Sequence, residues 1–385
     1  MKKPVTCHIR NRETGRKQRR IYKMKKLIAL ICAMALLMAL AAVPAGAEGG
    51  KPLKILIVTS SGVDDGNFTE DCYLGIQNFL ADHSDCTVQI IKEPNYAELI
   101  PAVEKSAGDY DVFVLPGYNF GMIGDIVLAN PGKYYLVVDS AIKDSEGNQV
   151  TADNAFTMTY KEQEGGFMAG AAAALSSKTG KVAVVTGMPY PSNLNYQFGF
   201  MGGVNYANAK YGTSVQCIEI PSFSGGDGVG GNYVGAFDDE ATGKVVAESL
   251  ISEGCDVLFA AAGQSGNGVL TAVKEADGIW FIGCDVDQFD DGKKGDGNVV
   301  LTSALKVMHL DVQRQLEAIY DGTFAGQDAL LGADTDSTGY VSAEGRQQLS
   351  EDAQAKLAEC YEKIKTGEIV PPTSAAELAD FPGLN

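Results

Sequence analysis

Short apolar runs alternate along the chain with stretches of helical spacing. The runs are apolar at successive positions, which is typical of strands in a parallel sheet covered on both faces. They predict strands at 53–60, 87–91, 111–117, 134–140, 181–187, 215–220, 256–263, 279–285 and 299–303. Helices are predicted at 69–81, 96–107, 162–176, 193–209 and 240–252, with one more running to Tyr320 and others between strands. This alternation predicts right-handed βαβ units.

The βαβ units form two series, the second beginning after Thr159. Two series predict an α/β protein with two doubly wound parallel-sheet domains. Such sheets hold ligands outside the carboxyl ends of their strands. Polar residues and glycines follow several predicted strands, at 61–67, Asp139, 263–268 and 284–288. A ligand site is therefore expected at these strand ends.

The charge of the chain restricts its partners. Its 385 residues have a formal net charge of -18. Residues 1–47 hold 11 Lys and Arg with one acid, Glu13, which leaves 20 bases against 48 acids in the rest. Such acidity argues against a nucleic acid or an anionic membrane surface as partner. The sequence contains neither a phosphate-binding G-x-x-x-x-G-K-[ST] loop nor a G-x-S-x-G nucleophile elbow, so it lacks the motifs of nucleotide hydrolysis and acyl transfer. The function classes that remain are a binder of small molecules and an enzyme of another kind.

The N-terminal segment has the pattern of an export signal. Two lysines precede an apolar run at 27–43, and Ala-Gly-Ala follows at 45–47. These features predict an N-terminal extension with a signal peptide over 1–47, cleaved before Glu48. Met24 is an alternative start. An uncleaved anchor is the alternative to cleavage, because a run of this length barely spans a bilayer.

A lipid anchor is not expected on Cys32. Lipid-bearing cysteines follow small residues, whereas Leu30 and Ile31 precede this one. No apolar run after the predicted cleavage site reaches 18 residues. The sequence therefore predicts an exported, extracytoplasmic protein without a lipid.

Cysteine and histidine usage argues against a metal or cofactor site. Six cysteines follow the predicted cleavage site: Cys72, Cys86, Cys217, Cys255, Cys284 and Cys360. Six allow 15 disulfide pairings, and the favoured interpretation is small core residues. No C-x-x-C pair occurs, and His83 and His309 are the only histidines in this part. Neither a zinc site nor a His-based triad is expected.

Several stretches resemble one family. They include DDGNFTEDCYLGI at 64–76, EQEGGFMAG at 162–170, GAFDD at 235–239, IGCDVDQ at 282–288 and LTSALK at 301–306. In this order they resemble the basic membrane protein family of ABC-transporter substrate-binding proteins, the group that contains purine nucleoside receptors. The resemblance extends over nearly the whole chain after the predicted signal.

The resemblance implies a type I periplasmic binding protein-like fold with the ligand in the cleft between two domains. The chain is expected to cross between the domains near 156–160, near Asn298 and near Gln327. The implied division is 53–156 with 299–327 for the first domain and 157–298 with 328–370 for the second, followed by a tail at 371–385. The small residues of EQEGGFMAG are expected to let that helix pack closely on a sheet.

The resemblance also implies a set of ligand-binding residues: Asp64, Asp65, Tyr73, Asp139, Phe237, Asp285 and Lys306. Two of these, Tyr73 and Phe237, would stack on a base, and Asp285 with Lys306 would bind sugar hydroxyls. Each residue also has a purely structural interpretation. Tyr73 recurs at helical spacing with Ile76, as core residues do, and Asp64 could cap a helix or form a turn.

The expected function is that of an extracytoplasmic substrate-binding protein of an ABC importer, without enzymatic activity. Its ligand would be a nucleoside, most simply a purine nucleoside, and its partner the transporter permease. Two alternatives remain open at this point. The same scaffold could bind riboflavin or another ring-bearing solute, or the chain could be an exported nucleoside hydrolase.

The export pattern leads to a first prediction. The exported protein should begin at Glu48 and carry no lipid, because Ala-Gly-Ala precedes that residue and Cys32 lacks small neighbours. Intact-mass spectrometry of the exported protein checks both points. A diacylglyceryl adduct on Cys32 would contradict the prediction.

Overall fold

The strands of the computed structural model lie where the apolar runs predict them, with additions. The structure describes residues 50–226 and 228–381, so the predicted signal peptide lies outside the described residues. The strands are β1 Lys54–Thr59, β2 Thr87–Lys92, β3 Val112–Pro116, β4 Tyr134–Val138, β5 Ala155–Tyr160, β6 Lys181–Thr186, β7 Gln216–Cys217, β8 Val257–Ala261, β9 Trp280–Gly283, β10 Lys293–Lys294, β11 Gly297–Asn298, β12 Val300–Lys306, β13 Gln327–Leu331 and β14 Thr338–Tyr340.

The helices follow the strands in the expected alternation. They are α1 Phe68–Asp82, α2 Leu99–Ser106, α3 Gly124–Ala129, α4 Glu162–Ser176, α5 Pro191–Tyr211, α6 Glu240–Ser252, α7 Ser265–Glu275, α8 Met308–Tyr320, α9 Glu351–Lys365 and α10 Ala375–Ala379. Short 3₁₀ turns lie at Tyr96–Glu98, Tyr118–Phe120, Pro221–Phe223, Phe289–Gly292 and Ala333–Thr335. Within the described ranges, no helix is both long and apolar enough to cross a membrane.

The first sheet is parallel throughout, in the order β13-β5-β4-β3-β1-β2. Successive residues of β1 enter different cores: Ile55 and Ile57 pack with α1 and α8, and Leu56 and Val58 pack with α2 and α3. Helices on both faces bury every residue of the strand after Lys54. This arrangement explains why β1 is apolar at every central position.

The second sheet has the order β14-β12-β9-β8-β6-β7 and is parallel except for β14, which pairs antiparallel with β12. In β6, Val184 packs toward α4 and α5, while Ala183 and Val185 pack toward α6 and α7. The two sheets form the two lobes of the protein. The predicted class, two doubly wound α/β domains, is confirmed.

Glycines bring α4 and α5 into close contact. A Cβ at Gly170 would lie 2.0 Å from the Phe200 carbonyl oxygen, and a Cβ at Gly203 would lie 2.1 Å from that of Phe167. Only glycine allows this approach of two helix backbones. The small residues of EQEGGFMAG therefore serve packing on a neighbouring helix, in addition to the expected packing on a sheet.

The chain changes lobes at three crossovers, and two of them differ from the expected places. The first follows Tyr160, close to the expected 156–160. The second follows Lys306 rather than Asn298, because β12 pairs with β9 in the second sheet. The third lies between Leu331 and Thr338 rather than near Gln327, because β13 pairs with β5 in the first sheet.

The predicted division into domains changes accordingly. Residues 157–160 and 328–331 belong to the first sheet, and residues 300–306 belong to the second. The segments at 157–160 and 300–306 are largely buried, whereas 328–331 forms the edge strand of the first sheet and is largely exposed. Only the pairing of backbone groups with a particular neighbour determines which sheet they join.

The three crossovers are hydrogen-bonded to one another. The Glu164 carboxylate accepts from the Ala333 backbone N–H at 2.7 Å and from the Thr338 hydroxyl at 2.6 Å. The Val307 N–H donates to the Ser337 carbonyl at 2.9 Å. The crossovers therefore form one connected layer between the lobes.

The six cysteines of the described residues are all free thiols. Five are buried and Cys217 is partly buried. Burial raises the pKa of Cys72, Cys284 and the others above the usual thiol value. This agrees with the interpretation of the cysteines as small core residues.

A buried aspartate connects α1 to α8. Asp71 accepts from the His309 backbone N–H at 2.9 Å and from its Nδ1 at 2.7 Å. The hydrogen bond to Asp71 raises the pKa of His309, and partial burial opposes that shift. The charged imidazole is therefore favoured in the folded protein.

This pair should make stability depend on pH. Because the folded pKa of His309 exceeds the unfolded value of about 6.5, its contribution is complete below that pH and is lost as pH rises through the folded pKa. His309→Gln should therefore lower the free energy of unfolding more at pH 5.5 than at pH 9, by about 1 kcal/mol. Urea unfolding of both proteins at each pH measures the difference. An equal cost at both values would contradict the prediction.

Candidate functional site

The carboxyl ends of the two sheets face one cleft between the lobes. The cleft encloses about 840 Å³ including its mouth. From the first lobe it is lined by Ser60, Ser61, Asp65, Phe68, Thr69, Tyr96, Pro116, Gly117, Tyr118, Asn119 and Asp139. From the second it is lined by Tyr190, Ser192, Asn193, Tyr196, Phe237, Asp238, Ala261, Gly263, Gln264, Cys284, Asp285 and Lys306. A concave site between two lobes, lined by aromatic rings and a few convergent polar groups, is typical of small-molecule binding.

A buried lysine lies at the floor of the cleft. The Lys306 side chain is 2% exposed, and its Nζ donates to both carboxylate oxygens of Asp139 at 2.7 and 2.8 Å. Lys306 ends β12 of the second lobe, whereas Asp139 follows β4 of the first. This ion pair therefore joins the two lobes across the cleft.

Two more carboxylates surround the ammonium. Glu162 Oε1 lies 3.4 Å from Lys306 Nζ, and Asp285 lies close enough to contribute to its charge balance. Burial disfavours the charged lysine, but Asp139, Glu162 and Asp285 together raise the pKa of Lys306 above its usual value. Lys306 therefore stays charged, and the cluster of three carboxylates and one ammonium is net acidic.

Burial also changes the carboxylates. It raises the pKa of Glu162 to about 7, with Lys306 opposing the shift and Asp139 adding to it. It raises the pKa of Asp285, while Lys306 and hydrogen bonds oppose that shift. Asp285 accepts from the Tyr196 hydroxyl at 2.8 Å. The site can thus exchange protons close to neutral pH.

The backbone turns sharply at two of the acids. Asp139 has φ of 65° and Asp285 has φ of 66°, so both adopt the left-handed conformation. Non-glycine residues adopt it at a cost, and aspartate tolerates it better than most. Asp139 directly follows the end of β4, and Asp285 lies two residues after the end of β9. These turns therefore place both carboxylates at the floor of the cleft.

Aromatic rings form the walls of the cleft. The Lys306 ammonium lies 5.1 Å from the ring centre of Phe68. On the opposite lobe, Phe237 lies directly against the end of β6, where a Cβ on Gly187 would come within 2.3 Å of its ring. Tyr190 lies beside Phe237, with ring centres 5.7 Å apart. Flat faces are therefore available from both lobes.

The lobes touch each other at the mouth. The rings of Tyr118 and Tyr190 have centres 5.0 Å apart, and the Asn67 amide lies 3.5 Å from the Gly263 carbonyl oxygen. Both contacts join a residue of the first lobe to one of the second. The structure is thus a closed arrangement of the cleft.

Four of the predicted site residues meet at the cleft: Asp139, Phe237, Asp285 and Lys306. Asp65 also lines it, but its carboxylate accepts from the backbone N–H groups of Asn67, Thr69 and Glu70 at 3.0–3.1 Å. The Asp65 carboxylate therefore caps the first turn of α1, a role that the sequence suggested for its neighbour Asp64.

Asp64 and Tyr73 lie outside the cleft lining, which corrects their assignment. Asp64 is exposed, and Tyr73 packs against the core of the first lobe. The aromatic residue of α1 that faces the cleft is Phe68. Side chains five positions apart on a helix point in directions about 140° apart, so Phe68 and Tyr73 cannot face the same way.

Sequence reasoning also missed Glu162, Tyr118 and Tyr190. Glu162 begins the EQEGGFMAG helix directly after the first crossover, a position that could have pointed to it. The two tyrosines follow β3 and β6 at the strand ends where ligands were expected, but nothing distinguished them from other loop residues. In the part of the chain described here, no cluster of His, Cys, Asp and Glu is arranged to hold a metal ion.

Comparisons with known proteins agree with this geometry. Residues 53–224 and 228–374 match the family described as ABC transporter substrate-binding protein, PnrA-like. The chain is 30% identical to the CD4+ T-cell-stimulating antigen of Listeria monocytogenes, covering 84% of this chain and 89% of that protein. It is 29% identical to the ABC transporter nucleoside-binding protein BmpA of Lactococcus lactis, covering 79% and 87%.

A solved structure supports the fold. The chain resembles an ABC transporter solute-binding protein from Aeropyrum pernix with a TM-score of 0.72 and 23% identity, covering 86% of this chain and 96% of that one. The type I periplasmic binding protein-like fold is thereby confirmed. The family and this structural neighbour are solute-binding proteins rather than enzymes. The chain belongs to the basic membrane protein family of PnrA-like ABC transporter substrate-binding proteins.

Proposed function

We propose that this extracytoplasmic binding protein captures a purine nucleoside in its closed cleft and delivers it to the permease of an ABC importer. The observation that carries the proposal is the combination of Asp139, Asp285 and Lys306 at the floor with aromatic rings on both walls. A nucleoside has both matching parts, a flat base and a ribose with several hydroxyl groups.

The floor suits the ribose. Hydroxyl groups donate to carboxylates and accept from an ammonium, and hydrogen bonds to charged groups are about twice as strong as neutral ones. Asp285 and Lys306 adjoin each other here, as the family resemblance implies for the sugar. A ribose hydroxyl could accept a hydrogen bond from Lys306 while Asp139 keeps its ion pair with the same ammonium.

The walls suit the base. Phe68 and Phe237 come from different lobes, so a base between them would be enclosed as the lobes close. Stacking on an aromatic side chain contributes about 1–3 kcal/mol per base. The Lactococcus lactis relative is named as a nucleoside-binding protein, which supports the same assignment.

The charge of the floor argues against phosphorylated ligands. Three carboxylates with one lysine leave the cluster net negative when all are ionised. A phosphate would bring further negative charge into a buried site, where like charges repel strongly. The proposed ligand is therefore the nucleoside and not the nucleotide.

A ligand panel tests this proposal. Guanosine, inosine or adenosine at 100 times its dissociation constant should stabilise the protein by about 2.7 kcal/mol, seen as a higher melting temperature. Guanosine monophosphate should produce no shift. Riboflavin is included because its ring system also suits aromatic walls. A shift with riboflavin and none with nucleosides would replace the proposed ligand.

Variants of the aromatic residues test the stacking. Phe68→Ala and Phe237→Ala should each weaken nucleoside binding by about 1–3 kcal/mol. Tyr73→Ala is the matched control on the same helix, and it should lower the melting temperature while leaving affinity unchanged. Calorimetry and melting curves on the same samples separate the effects. Loss of affinity in Tyr73→Ala with none in Phe68→Ala would show that Tyr73, and not Phe68, stacks on the base.

A further inference from the structure

Glu162 lies behind Lys306, outside the residues that line the cleft. Its side chain is 3% exposed, Oε1 lies 3.4 Å from Lys306 Nζ, and Oε2 accepts from the Asn195 amide at 2.8 Å. We propose that Glu162 is a positioning residue for ligand binding: in its ionised form it holds the Lys306 ammonium at the cleft floor. The inference rests on the proposed function, since it concerns the same site.

The geometry gives Glu162 a role that Asp139 cannot fill. An ammonium has three N–H donors. Asp139 accepts at both of its oxygens, and Glu162 lies within reach as the further acceptor. Asp139 belongs to the first lobe, however, whereas Glu162 begins α4 and packs beside α5 of the second lobe, which also carries Lys306. When the lobes separate, Glu162 and Asp285 both stay with the lysine, and Glu162 is the one of the two that accepts a hydrogen bond from its Nζ.

Holding Lys306 in place matters because its side chain is long. A free lysine side chain has about 2 kcal/mol of rotamer entropy to lose when a ligand fixes it. An anchor within the same lobe removes much of that loss before the ligand arrives, which is the general advantage of preorganisation. Asn195 in turn fixes the carboxylate of Glu162 from α5.

The environment of Glu162 allows its charge to change near neutral pH. Burial raises its pKa to about 7, and the Asn195 hydrogen bond lowers it. The titratable and charged groups around it are Lys306 on β12, Asp139 after β4, Asp285 after β9, Tyr196 on α5 and Tyr160 on β5. Protonation of Glu162 removes the negative charge that attracts the ammonium, so affinity should fall as pH falls through about 7.

Calorimetric titration with guanosine and inosine between pH 5.5 and 8.5 tests the role. The wild-type dissociation constant should rise about tenfold from pH 8 to pH 6. Glu162→Gln is isosteric with the protonated acid, so it should bind about tenfold more weakly than wild type at pH 8 and show no pH dependence. A wild-type pH profile in Glu162→Gln would overturn the proposal.

A second variant distinguishes a titrating Glu162 from a Glu162 with a merely structural role. Asn195→Ala removes a hydrogen bond that stabilises the ionised carboxylate, so the pH midpoint of binding should move to higher pH. An unchanged midpoint would count against Glu162 as the titrating group. His309→Gln is the control for a nearby imidazole whose pKa is also raised, and it should keep the wild-type profile.

A ligand-free measurement separates this inference from the proposed function. Melting temperatures of Glu162→Gln, Lys306→Met and the double variant at pH 8 form a double-mutant cycle. If Glu162 holds Lys306, the double variant should melt above the value obtained by adding the two single shifts. If neither nucleoside binds the wild type, the proposed function fails. The cycle still decides whether Glu162 holds Lys306, because it needs no ligand. Additive shifts would overturn the anchoring by Glu162.

Discussion

The cleft is organised around one buried positive charge. An ammonium removed from water must be paired and hydrogen-bonded, or its burial costs several kcal/mol. Lys306 meets this requirement with carboxylates from both lobes: Asp139 from the first, and Glu162 with Asp285 from the second. The need to pair this charge therefore favours the approach of the lobes. It also fixes the polarity of the floor, which donates and accepts hydrogen bonds but carries excess negative charge.

The floor of the cleft and the crossovers are the same layer of the molecule. Lys306 is the last residue before the second crossover, and Glu162 comes two residues after the first. Glu164, one helical turn from that crossover, bonds to the third at Ala333 and Thr338. The ion pairs at the floor are therefore contiguous with the segments that join the lobes. In the proposed function, this contiguity connects ligand capture with closure of the lobes.

The walls of the cleft are aromatic, whereas its floor is charged. Rings at Phe68, Phe237 and Tyr190 offer flat apolar faces, and the Tyr118–Tyr190 contact brings the lobes together at the mouth. Polar recognition is confined to the floor, where water is largely excluded and charged hydrogen bonds are strongest. A flat solute with hydroxyl groups at one end fits both regions in a single orientation.

The sequence alone determined the α/β class, most strands and helices, and the strand-end acids Asp139 and Asp285, because apolar runs and their polar ends are local features. It did not determine which sheet β12 and β13 join, because that depends on which neighbouring strand pairs with their backbone groups. It could not choose between Phe68 and Tyr73, because both lie on one helix and only packing fixes which face points to the cleft. Glu162 and Lys306 are 144 residues apart. Their pairing exists only because the tertiary structure brings the two crossovers together, and a buried charge is neutralised by whatever partner lies within reach.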